Sequence, residues 1–108
     1  MIIWNDKMYV TDSVKKNLKK IKKKIEKPQK IKHGAYLVTL NNNGTDLFDI
    51  YNILFFPGKH FNKEGYDVNV IGVARNFDEA TKLVGNIVEK VNKKYGGISA
   101  EYVKSFYL

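Results

Sequence analysis

Seven lysines, Lys15, Lys16, Lys19, Lys20, Lys22, Lys23 and Lys24, fall within ten consecutive residues. Ammonium groups repeated along one helical face can track a phosphate backbone. They neutralise charge without reading bases, and the resulting affinity falls steeply with salt. The wider segment 15–32 holds ten lysines against Glu26 alone, a local charge of +9. The other 90 residues carry nine basic and ten acidic side chains, so the net +8 of the chain is the property of one segment. Charge concentrated in this way attracts a polyanion as scattered charge does not. Nucleic acid is therefore the expected ligand class, with these seven lysines as its site.

Two features of the same residues favour a plain solvated surface. Arginine, the bidentate phosphate ligand, occurs once, at Arg75. No aromatic falls between residues 11 and 35, so the stacking that single strands require is missing from the lysine segment itself. Eighteen of the nineteen basic residues are lysine, beside eleven asparagines and ten isoleucines, all with A/T-rich codons. Base composition accounts for lysine over arginine, although not for the clustering.

Catalytic and metal-binding patterns do not assemble. His33 and His60 have no HxH or HxxxH partner, and cysteine is absent, which removes disulfides and thiolate metal sites. Ser13, Ser99 and Ser105 lack a nucleophile-elbow setting. The loop from Pro57 to Asp67 is the densest mixture of titratable groups; an enzyme would use His60 there as acid–base, with Glu64 or Asp67 as partner. A wet connector explains the same composition. Asp46, Asp49 and Asp67 are not spaced to share a metal, since carboxylates three apart on a strand point to opposite faces. No dinucleotide or phosphate-loop fingerprint occurs, and Gly72 fits close packing of a strand on a helix. No catalytic residue, metal ligand or cofactor is expected.

The elements that must position the lysines follow from periodicity. Val14, Leu18, Ile21 and Ile25 recur at spacings of 4, 3 and 4, a narrow apolar stripe whose opposite side is the lysine face. Thr11, Asp12 and Ser13 offer N-cap oxygens, and Pro28 ends that helix. Upstream, Ile2–Trp4 and Met8–Val10 flank the polar Asn5-Asp6-Lys7, as in a short β-hairpin. Residues 35–41 and 47–56 read as a second hairpin around Asn43-Gly44, and 67–74 as a further strand. Asn76 and Glu79 form a capping box before the apolar face Ala80, Leu83, Val84, Ile87, Val88, Val91 and Tyr95, and Gly96 stops that helix. For residues 98–108 the alternation Tyr102, Lys104, Phe106 favours a strand over a last helical turn capped by Ser99.

The expected fold is therefore a single α+β domain over residues 1–108. It is a two-layer sandwich in the order β-β-α-β-β-β-α-β, a mostly antiparallel sheet with both helices on one face. The composition, 44% hydrophobic and 13% aromatic, suits a packed globule. No basic run followed by an apolar stretch opens the chain, and no apolar run nears the ~20 residues that span a bilayer; a cytoplasmic protein without a membrane span is expected. The alternative function is a protein–protein interaction or homo-oligomeric assembly domain. Its lysines give only solubility, and a strand edge or the N-terminal hairpin forms the contact.

Overall fold

The computed structural model describes residues 2–26, 35–40, 47–53 and 68–108, without the side chains of 24–26. Strand β1 spans Ile2–Val10, and helices α1 and α2 span Asp12–Lys15 and Leu18–Glu26. Strands β2, β3 and β4 span Tyr36–Leu40, Phe48–Asn52 and Val68–Ala74. Helices α3 and α4 span Phe77–Tyr95 and Ala100–Tyr107. The sheet order is β1-β4-β2-β3, with β1 parallel to β4 and the other two pairs antiparallel. The fold is α+β around a four-stranded mixed sheet, so the expected class holds.

Its details differ from the expected sandwich in three places. The first is the side on which the helices lie. Neighbouring residues of a strand point to opposite faces, and both faces here are buried. Val38, Leu40 and Ile71 pack with Ala80, Leu83, Ile87 and Val91 of α3 and with Val103 and Tyr107 of α4. Leu37, Val70 and Val73 pack with Val14 and Ile21 of the N-terminal helices. The two helical groups therefore cover opposite faces. The near-continuous burial of Val68–Ala74 records this, since a strand covered on both sides has no polar face to alternate with.

Secondly, Ile2–Val10 is one strand and no hairpin. Ile2–Trp4 and Tyr9–Val10 both run alongside β4, opposite Val68–Val70 and Gly72–Val73 respectively. Asn5 to Met8 form an extended bulge between the two paired stretches. Asn5 Oδ1 accepts from the Lys7 backbone N–H at 2.8 Å, a local turn that holds the bulge. Asn5 Nδ2 and Lys7 Nζ donate to the Tyr107 and Phe106 carbonyls at 3.1 and 3.2 Å. The polar break that resembles a turn is thus a clasp on the open carbonyl end of α4.

Thirdly, residues 100–107 are helical. Ser99 Oγ accepts from the Tyr102 backbone N–H at 3.2 Å as the cap. Val103 and Tyr107, four apart, bury on α3 and the sheet. Tyr102 instead stacks on Tyr95, with ring centres 5.2 Å apart. Helical spacing therefore explains these aromatics better than alternation does.

The long helix α3 follows the expected pattern except in the return arm of the capping box, where the Glu79 carboxylate accepts from the Arg75 N–H, one residue before the cap. Glu79 N–H donates to Asn76 Oδ1 at 2.8 Å, and Gly96 ends the helix at φ 73°, its N–H reaching the Asn92 carbonyl at 2.8 Å. Gly72 sits beneath it: a Cβ there would stand 2.6 Å from Leu83 Cδ2, so a larger residue would require the buried Leu83 side chain to shift. The β2–β3 pairing holds, Leu40 opposite Phe48 and Tyr36 opposite Asn52. The Asn43-Gly44 turn and Pro28 lie outside the described residues.

Candidate functional site

The lysine segment is two helices. After Val14 the chain tightens: Asn17 N–H donates to the Val14 carbonyl at 3.0 Å, an i to i−3 bond, and Ile21 N–H then picks up the Asn17 carbonyl at 2.9 Å. An unbroken helix would stack Lys15 on Lys19 and Lys16 on Lys20, each like-charge pair costing ~0.2–0.5 kcal/mol. The break falls between the members of both pairs. Val14 and Ile21 remain buried and Leu18 half-buried, so the apolar stripe still anchors both pieces to the sheet.

The candidate lysines divide into three groups. Lys16, Lys19, Lys20 and Lys23 are exposed, and among the described residues no ion pair reaches them. Lys15 holds Asp12 at 3.1 Å, a wet pair of little energetic weight. Lys22 is half-buried and places its Nζ 5.2 Å from the centre of the Trp4 ring. Such a contact contributes ~0.5–1 kcal/mol at a partly exposed site. Of Lys24, only the helical backbone is described.

Trp4 is the residue that sequence reasoning missed. No aromatic lies within the lysine segment, but the fold brings one under it from β1, the edge strand. Trp4 shares the α2 side of the sheet with Ile2, Met8 and Val10, all partly buried against the same core. Even spacing along β1 is the sequence signal for that shared face, and only the strand's position beneath α2 adds the lysine.

A second polar junction lies where the parallel strands β1 and β4 end. β1 leads into helices on one face and β4 into α3 on the other, and an open cleft of about 670 Å³ forms between them. Thr11 and Ser13, expected as helix caps, turn instead towards α3. Ser13 Oγ lies 3.2 and 3.0 Å from the two Glu79 carboxylate oxygens, and Thr11 Oγ1 lies 3.1 Å from Ser13 Oγ. Glu79 Oε2 also accepts from the Arg75 backbone N–H at 2.9 Å. The carboxylate thereby joins the starts of α1 and α3, a positioning role fully used by protein partners.

The remaining expectations concern absences or undescribed positions. Among the described residues no group of histidine and carboxylate side chains can hold a metal, and no helix is long and apolar enough to cross a membrane. His33, His60, Glu64, Asp46 and Asp67 lie outside the described residues, as does the whole 57–67 loop; Asp49 is half-buried in β3. No protein-family model, no curated protein and no solved structure matches this chain.

Proposed function

We propose that the chain is a cytoplasmic binding module for a polyanion, most simply nucleic acid, which it meets through the lysine face of α2 and the turn before it. The observation that carries this reading is the exposure of Lys16, Lys19, Lys20 and Lys23 with no ion pair among the described residues. Uncompensated like charge on one element is a cost to the fold, and a phosphate backbone removes it while releasing its own counterions. The buried stripe beneath holds that face outward, so the ammonium groups are presented without a rearrangement of the core. Self-assembly through the edge strand β1 is the less favoured reading, because the bulge at Asn5–Met8 interrupts the row of backbone groups a second strand would need.

The test is binding to labelled single-stranded and duplex DNA between about 50 and 300 mM salt. A log–log slope of about −4 to −6 is expected, the release accompanying roughly five to seven phosphates. Changing Lys16, Lys19, Lys20 and Lys23 to glutamine together is expected to flatten the slope by about 3 and to abolish binding above ~150 mM salt. Absence of binding at the lowest salt, or a quadruple variant that binds like the parent, overturns the proposal. An oligomer that forms with rising concentration and ignores the four substitutions would favour assembly.

A further inference from the structure

We infer that the polyanion is a single-stranded nucleic acid, one of whose bases stacks on Trp4 in place of the Lys22 ammonium. The inference rests on the polyanion reading above and adds the ligand's form to it.

Proteins that hold single strands pair a basic track with aromatic faces on which unstacked bases lie. The lysine segment has the track and, within its own sequence, no aromatic. The structure supplies one: Trp4, half-buried on the edge strand, carries Lys22 Nζ 5.2 Å from its ring centre. The lysine marks the side of the indole that a group on this helix can reach. It sits one residue from exposed Lys23 and one turn from exposed Lys19, so a strand following those ammonium groups passes over the ring.

Exchange of ammonium for base is favourable in kind. Base stacking on an aromatic ring exceeds a lysine's cation–π contact, and the displaced Lys22 is delivered to the phosphate of the same nucleotide. The incoming ligand therefore replaces the contact it breaks and adds a charge pair. A duplex cannot do this, because its base faces are already covered by their neighbours in the stack. A base-free polyanion offers the charge alone.

Trp4 is the only tryptophan of the chain, so its emission reads this site directly. The protein is titrated at about 50 mM salt with an oligothymidylate of roughly twelve nucleotides, with a duplex of equal length and with heparin. Oligothymidylate is expected to bind and to quench Trp4 strongly, while duplex and heparin bind with little change in emission. Trp4→Leu is expected to weaken oligothymidylate at least about fivefold and to leave heparin within about twofold. If all three ligands bind and change the emission alike, or Trp4→Leu weakens oligothymidylate and heparin equally, stacking is overturned and the polyanion reading stands. If none binds, both fall. Should Trp4→Leu fail to fold, the emission comparison in the unaltered protein decides the matter.

Discussion

Tyr107, near the end of α4, packs into the core shared by α3, α4 and the sheet, and burial pushes its phenol up from 10.0 to about 12. The sign of the consequence follows from linkage. Between those values the unfolded chain has lost this proton and the folded one keeps it, so stability is intact below pH 10 and declines as pH rises towards 12. The loss is on the order of 1–2 kcal/mol, because the ring is not wholly shielded from water. Urea unfolding at pH 9 and pH 11.5 is expected to show this decline, and Tyr107→Phe to remove that share of it; an equal decline in both proteins refutes the assignment. Gly72 was legible at this scale without a structure, since a glycine between buried β-branched residues and before a helix has few reasons to be there except close packing. Trp4 was not, because nothing near it in the chain identifies Lys22 as its neighbour.

Legibility at the level of elements depended on where each element's partners lie. Helix α3 was readable to its last residue: Asn76 and Gly96 act locally, and a broad apolar face leaves one way to lie on a sheet, although nothing local ties the Glu79 carboxylate to Ser13. Strand β1 was misread as a hairpin because its ladder is β4, more than sixty residues further on, and a parallel partner at that distance leaves no turn to recognise. Residues 100–107 satisfied two periods at once, and only burial of Val103 and Tyr107 chose the helix. The lysine stripe was readable, but its break at Lys16–Asn17 was not, since the apolar spacing runs through it unchanged; within α2 the repulsion between Lys19 and Lys23, four apart, persists. That repulsion has its own test. Thermal unfolding in ~20 and ~300 mM salt is expected to show the parent chain stabilised by about 1 kcal/mol at the higher salt, and the Lys16, Lys19, Lys20 and Lys23 glutamine variant to be insensitive. A variant that gains as much from salt as the parent would mean that the charge lies too far into solvent to strain the fold.

Across the whole molecule, one sheet separates two cores, and Trp4 reports on only one of them. The sheet's central strands β4 and β2 feed side chains to both sides, so neither core can dissolve without exposing the back of the other. Urea unfolding followed by Trp4 emission and by far-UV circular dichroism, the latter weighted towards α3 and α4, is expected to give coincident midpoints. An earlier Trp4 midpoint would show the α2 side to be a separate cooperative unit. The clasp between the β1 bulge and the end of α4 has a further consequence, one of timing. Asn5 meets a carbonyl 102 residues away, and every paired residue of β1 waits for chain between 68 and 73. On a ribosome β1 therefore remains without its ladder until more than sixty further residues have followed it. Contacts of such separation slow folding, so β1, although made before β2, β3 and β4, is expected to join the sheet late.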